Sequence, residues 1–256
     1  MTSIGFIGVG ELALYTIKGV RRGGYQGPVL LSPRNREKAK YLVETHNCQL
    51  QQDNQSVVAN SDHIVIATRP ADCLETLASL EFKPNQVLIS VVAGIEVAQL
   101  RTVLPAQLEI VRAMPVSSAE VGASPTLIYP DNVFVRQFFD YCGNSIVVDN
   151  EEYFTQGSVL ACVYCWFFSL FEELIQSTRG PALPAGISAE LVMGMAKGAA
   201  ELALANKKIT PGEIASSIAT EGTFSRLGLD LLEENAAFKP WREACELLQQ
   251  QLAASD

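Results

Sequence analysis

The residues best placed to do chemistry open the chain. Ile4-Gly5-Phe6-Ile7-Gly8-Val9-Gly10-Glu11-Leu12-Ala13 sets small residues in a Gly8-x-Gly10-x-x-Ala13 pattern between an apolar run and a helical stretch. In such a pattern Gly8 makes the tight turn. Gly10 lets the backbone amides of Glu11 and Leu12 approach a pyrophosphate at a helix N-terminus, and Ala13 allows close helix-to-strand packing. The plainer alternative is an ordinary turn between strand and helix. The second strand then ends in Leu31-Ser32-Pro33-Arg34-Asn35-Arg36, with no acidic residue to take an adenosine ribose 2′-hydroxyl. The Ser32 hydroxyl and the guanidinium groups of Arg34 and Arg36, with Asn35 beside them, suit a 2′-phosphate, which favours NADP(H) over NAD(H). The alternative is that Ser32 caps the next helix and the arginines face solvent.

The elements that would position these groups alternate through the first half. Strands are expected at Ser3–Gly8, Val29–Ser32, His63–Thr68, Gln86–Val92, Glu109–Ala113, Thr126–Tyr129 and Ser145–Val148. Helices are expected at Glu11–Arg22, Arg36–His46 and near Asp72–Leu80. Alternation over about 150 residues predicts a parallel, doubly wound α/β sheet of the Rossmann type. After Asn150 the pattern becomes helical, with expected helices at Glu152–Thr178, Ser188–Ala205, Thr210–Ser217, Phe224–Glu234 and Pro240–Ala253. Ser188 reads as an N-cap, and Pro211 suits the first helical position. The expected domains are therefore residues 1–150, binding NADP(H), and residues 151–256, all-helical.

Composition narrows the function classes. The 256 residues are 48% hydrophobic and 18% charged, which describes a folded chain with a substantial core. Nineteen Lys and Arg against 28 Asp and Glu give a net charge of −9, with no basic run beyond Arg21-Arg22 or Lys207-Lys208, so a nucleic-acid partner is not expected. No cationic stretch precedes the first apolar run, and the six cysteines lack framework spacing; both point to a cytoplasmic protein with free thiols. The uncharged stretch Tyr153–Phe171 approaches the length of a bilayer span but carries Thr155, Gln156, Gly157 and Ser158, so it is expected to be a buried helix rather than a membrane anchor. Within it, Cys162-x-x-Cys165 is expected to be a pair of buried small hydrophobes. There is no metal-ligand spacing, and His63, at the start of a strand, is expected to be structural.

Several motifs in order resemble the pyrroline-5-carboxylate reductases over nearly the whole chain. They are the opening Ile4–Gly10, Ser32-x-Arg34, Ala67-Thr68-Arg69-Pro70, Val91-Val92-Ala93-Gly94-Ile95, Val111-Arg112-Ala113-Met114-Pro115, Gly122-Ala123, Thr210-Pro211-Gly212-Glu213 and Gly222-Thr223. The resemblance implies hydride transfer from NADPH to the C=N carbon of a cyclic imine, as in proline biosynthesis. It also implies a helical domain that interlocks with its twin as a homodimer or larger homo-oligomer. It adds Thr68, Arg69, Pro70, Ala93 and Gly94 to the cofactor residues and places the substrate near Met114 and Pro115. Such chemistry needs no dedicated nucleophile, since a protonated imine reacts once oriented.

The substrate side departs from the family. Met-Pro-Asn becomes Met114-Pro115-Val116, and Gly-Ser-Gly-Pro-Ala-Tyr gives way to the bulky Ala161-Cys162-Val163-Tyr164-Cys165-Trp166. Ser-Pro-Gly-Gly-Thr-Thr becomes Ala219-Thr220-Glu221-Gly222-Thr223-Phe224. A carboxylate at Glu221 would oppose a substrate carboxylate held at that turn. The expected substrate contacts are thus Met114, Pro115, Val116, Glu221, Gly222, Thr223 and Phe224, with Glu221, Thr223 and Tyr164 as candidate catalytic groups. The substrate is either pyrroline-5-carboxylate or a related cyclic imine, of which one without the carboxylate is an example. The competing reading is a catalytically silent NADP(H)-binding dimer that acts as a sensor or binds a partner.

Overall fold

In the computed structural model the described residues are 2–180 and 183–253. The chain divides into two compact units: one takes in the chain to Ala161 and again from Leu252, and the other runs Cys162–Gln251. The division falls inside a helix that begins at Glu151, because that helix's first turns pack with the sheet.

The first unit is built on β1 (Ile4–Ile7), whose four residues are all buried, as expected of a strand covered on both faces. It pairs in parallel with β2 (Val29–Leu31) on one side and β4 (His63–Ile66) on the other. A two-residue β3 (Gln49–Leu50) lies outside β2, while β5 (Val87–Ser90) and β6 (Glu109–Met114) extend the sheet beyond β4. The order β3-β2-β1-β4-β5-β6 is the doubly wound dinucleotide-binding arrangement, reversing direction at β1. Side chains alternate across it: Phe6 joins one apolar cluster, with Ile17, Leu31, Val111 and Phe138, and Ile7 joins the other, with Ile64, Leu77, Leu88 and Ile110. The first cluster is covered by α1 (Glu11–Arg22), α2 (Arg36–His46) and α6 (Val133–Asp140). The second is covered by α3 (Asn54–Ala59), α4 (Pro70–Ala78) and α5 (Val97–Arg101).

The expectation of a parallel sheet is corrected at its far edge. β7 (Ser124–Tyr129) runs antiparallel to β6, and β8 (Gly143–Val147) is parallel to β7, so the eight-stranded sheet is mixed. The connection 115–123 is a single 3-10 turn (Ser117–Val121) ending on left-handed Gly122, too short for the crossover that a parallel strand requires.

The second half is helical throughout its described residues, with α7 (Glu151–Thr178), α8 (Ala185–Ala205), α9 (Pro211–Ile218), α10 (Phe224–Glu234) and α11 (Lys239–Ala253). Thr210 caps α9, its hydroxyl accepting from Glu213 N at 3.2 Å while the Glu213 carboxylate accepts from Thr210 N at 2.6 Å. Ser188 is not an N-cap: Pro184 holds that place, and Ser188 is buried in the first turn of α8, against Thr178 and the Ile175 carbonyl.

The buried-helix expectation for Tyr153–Phe171 is also corrected. In α7 only Phe154 and Val159 are buried, and Cys162 and Cys165 are exposed. By length and composition alone α7 could cross a membrane. Apolar exposure is general in the helical unit, reaching 93% at Phe224, 71% at Met195 and 70% at Leu204. Apolarity in the sequence shows that a face is to be covered, not that this chain covers it. Trp241 packs edge-on to Trp166 with ring centroids 5.9 Å apart.

Candidate functional site

The cradle begins where β1 ends. Gly8 has φ +93°, and a Cβ there would lie 2.6 Å from the Ala67 carbonyl oxygen and 2.9 Å from Thr68 N, so only glycine fits between β1 and the end of β4. Gly10 stands at the N-cap of α1 with extended backbone and no side-chain cap. A Cβ built there meets nothing within 4 Å. The first intrahelical bond is donated by Leu14 N to Gly10 O, leaving the amides of Glu11, Leu12 and Ala13 without helical acceptors. Ala13 is buried against the sheet. The two glycines therefore differ in role: one is forced by backbone packing, and the other keeps space open before a positive helix end.

Ser32 is fully buried, and its hydroxyl accepts from Gly8 N at 3.0 Å, tying the end of β2 to the glycine turn. It does not cap α2; Asn35 does, accepting from Lys38 N at 3.2 Å. Arg34 has a 73% exposed side chain that reaches Asp72 at 2.9 Å, Arg36 is exposed, and Lys38 pairs with Glu11. These surface pairs are weak and readily exchanged for a phosphate.

The other first-unit candidates lie at the same carboxyl edge, where open α/β sheets bind ligands. Arg69 and Pro70 are the N-cap and first residue of α4, and the buried Thr68 hydroxyl lies beside the Cys73 thiol. Ala93 and Gly94 follow β5, with Gly94 at φ +71° and open space where a Cβ would stand. Met114 ends β6, followed by Pro115 and Val116, whose amide donates to Ser124 Oγ at 3.0 Å. His63 begins β4 at the opposite edge. It stacks on Phe134 with centroids 3.7 Å apart, and burial holds its pKa below the usual imidazole value.

Glu221 to Phe224 form one turn of the helical unit. Gly222 has φ +79° and Thr223 caps α10, accepting from Arg226 N at 3.2 Å and donating to Thr220 O at 2.7 Å. A shallow cavity of about 570 Å³ is lined here by Glu221, Gly222, Thr223, Phe224, Arg226 and Asp230. The Arg226 guanidinium is taken by Asp230 and Glu233, which raise its pKa further. One cation is therefore shared by two carboxylates, and Glu221 lines the same cavity. Tyr164 is half-buried on α7, edge-on to Phe168 with centroids 5.2 Å apart.

A group that the sequence reading passed over is Arg112, 2% exposed within the otherwise apolar strand Ile110-Val111-Arg112-Ala113-Met114, with Glu151 as its partner at 2.8 Å. A charged residue in the middle of a buried strand was the available signal.

A family model described as NADP oxidoreductase, coenzyme F420-dependent, matches residues 3–94. The pyrroline-5-carboxylate reductase of Mycobacterium tuberculosis is 28% identical over 220 residues, covering 80% of this chain and 74% of the relative. Pyrroline-5-carboxylate reductase 2 of Bacillus subtilis is 22% identical over 246 residues, covering 92% of this chain and 88% of the relative. The Streptococcus pyogenes 1-pyrroline-5-carboxylate reductase superposes with a TM-score of 0.86 at 23% identity, covering 98% of each chain. The Plasmodium falciparum pyrroline carboxylate reductase with NADP bound gives 0.85 at 20% identity, covering 99% of this chain and 98% of that one. In sequence over most of its length, and in fold over nearly all of it, the chain is similar to the pyrroline-5-carboxylate reductases.

Proposed function

We propose that this chain is an NADPH-dependent oxidoreductase that reduces a cyclic imine. The observation that carries the proposal is the open Gly10 at the N-terminus of α1, braced by the Gly8-Ser32 hydrogen bond at the sheet's switch point. The similarity to reductases of this class, one with NADP bound, supports it. The residues fit a dinucleotide: Gly8, Gly10, Glu11 and Leu12 would hold the pyrophosphate through backbone amides, and Arg34 and Asn35 would take the 2′-phosphate, while Ser32, fully buried on Gly8 N, braces the turn instead of reaching the phosphate as expected. Thr68–Pro70 and Ala93–Gly94 would bound the nicotinamide half. The bound cofactor supplies a hydride. In the first unit, Met114–Val116 at the end of β6 would orient the imine towards that hydride and exclude water. An imine that arrives protonated accepts the hydride at carbon and leaves as the neutral amine.

The finer reading concerns the substrate. With Arg226 committed to Asp230 and Glu233, and Glu221 adding a further negative charge, the turn offers a substrate carboxylate repulsion. Ala219 and Phe224 stand where hydroxyl donors would otherwise be. We assign the preferred substrate to cyclic imines without a carboxylate, whose iminium charge Glu221 stabilises. The exposed apolar faces of the helical unit support self-association as a homodimer.

The test follows NADPH absorbance with pyrroline-5-carboxylate and with 1-pyrroline, for the wild type and Glu221→Gly. Faster turnover of 1-pyrroline, with Glu221→Gly gaining on the carboxylate substrate, is expected. Efficient reduction of pyrroline-5-carboxylate that is unaffected by Glu221→Gly overturns the finer reading. NADPH binding without turnover of any imine favours the silent sensor.

A further inference from the structure

Three segments of the first unit converge on one buried guanidinium. Arg112 lies on β6 with its Nη1 2.8 Å from Glu151 Oε1 and its guanidinium carbon 4.4 Å over the Phe154 ring. The same Glu151 oxygen accepts from Val97 N at 2.8 Å, at the start of α5 and three residues beyond Gly94. Thr155 Oγ1 stands 3.5 Å from both Arg112 Nη1 and Glu96 Oε1, closing a ring of polar groups between the loop and α7. Directly across the sheet from Arg112 is Ser90, at the end of β5, whose hydroxyl is buried without a partner, as is Arg112 Nε. Gly157 brings α7 onto β7 so closely that a Cβ would lie 2.7 Å from a Leu127 methyl.

A buried ion pair is a poor way to gain stability, because desolvating both charges offsets most of their attraction. What this pair does supply is direction. One carboxylate oxygen ties the start of α7 to β6 and also to the first amide of α5, so the loop 91–96 is held at both ends, by β5 and by Glu151. That loop carries Gly94, a left-handed corner with open space where a Cβ would stand, at the carboxyl edge of the sheet.

We propose that Arg112 and Glu151 are positioning residues that set the Gly94 loop for the nicotinamide half of the cofactor. The assignment rests on the proposed function for its catalytic consequence, although the clamp itself does not. Loosening the loop displaces the hydride donor, and a shift of about 1 Å at a reacting centre lowers turnover by on the order of 100-fold. Glu151→Ala removes the acceptor from both Arg112 and Val97. Glu151→Gln keeps an oxygen in the same place. Arg112→Met keeps the bulk and removes the donors.

The experiment pairs imine-reduction kinetics and NADPH titration with amide hydrogen exchange on the full-length protein. Expected are a kcat lowered on the order of 100-fold in Glu151→Ala and Arg112→Met, with the imine KM little changed. Rescue towards wild type in Glu151→Gln, and faster exchange confined to residues 91–97 in Glu151→Ala, complete the expectation. Variants that melt earlier but keep wild-type kcat and loop exchange overturn the proposal, because the pair is then only structural. If Arg112→Met fails to fold, the partly exposed Glu151 pair of variants decides alone. A wild type that binds no NADPH defeats the proposed function and leaves the clamp to the exchange of the Val97 amide; equal exchange in wild type and Glu151→Ala then refutes it.

Discussion

The two glycines of the first turn separate folding from binding, and substituting each by alanine should show it. In Gly8→Ala the new Cβ would lie 2.6 Å from one backbone atom and 2.9 Å from another, at φ +93°. The left-handed backbone costs about 1–2 kcal/mol and the forced movement of packed backbone about 1–3 kcal/mol more, so about 2–5 kcal/mol in all. For a chain of this size each kcal/mol lowers Tm by roughly 2–4 °C, which places Gly8→Ala about 4–20 °C below wild type. Gly10→Ala meets nothing within 4 Å and has extended backbone, so its stability change is only the N-cap preference of about 1 kcal/mol or less. Its methyl nevertheless occupies the space that a pyrophosphate needs above the amides of α1. Thermal melting and NADPH fluorescence titration measure both effects. The expected pattern is a destabilised Gly8→Ala, and a stable Gly10→Ala whose NADPH affinity falls about tenfold or more, equivalent to about 1.4 kcal/mol. Wild-type NADPH affinity in Gly10→Ala would refute the assignment of the cradle.

Ser32→Ala strands the Gly8 amide in a buried place and should lower stability by about 1–3 kcal/mol in denaturant unfolding. Arg34→Ala loses only a surface pair with Asp72, worth about 0–1 kcal/mol, so melting should barely change while the preference for NADPH over NADH, measured by competitive titration, collapses. Burial depresses the pKa of both His63 and His46. Their contribution is complete above the usual imidazole value of about 6.5 and falls away as pH drops from there through the depressed folded values, because the unfolded chain takes up the protons first. Urea titrations at stepped pH should show that loss, and His63→Gln should lessen it, leaving the share of His46.

The parts of the fold written in local sequence were readable, and the parts decided by distant contacts were not. The opening Ile4–Gly10 strand and turn needed only a short apolar run and two glycines. The bounds of α10, Phe224–Glu234, followed from helical periodicity, and the structure adds Thr223 as its cap. Helix α6 was passed over because Val133-Phe134-Val135 looks like strand material, and only Asn132, capping through Val135 N, marks the start. The direction of β7 depends on how few residues separate it from β6. The burial of α7 was misjudged because its apolar face awaits a surface that this chain's own helical unit does not supply. The hydroxyl of Ser32 was expected at a phosphate or a helix cap, but its partner, Gly8 N, is 24 residues away, and the bridge of Arg112 to Glu151 spans 39.

Hydride transfer to an imine carbon is the central claim, and isotope transfer tests it most directly. NADPH carrying deuterium at its transferable C4 position is incubated with the protein and 1-pyrroline or pyrroline-5-carboxylate, and the amine product is analysed by mass spectrometry and NMR. The account predicts deuterium on the ring carbon that had been double-bonded to nitrogen, with the nitrogen proton drawn from solvent. Unlabelled product, or NADPH bound but never consumed with either imine, would contradict it.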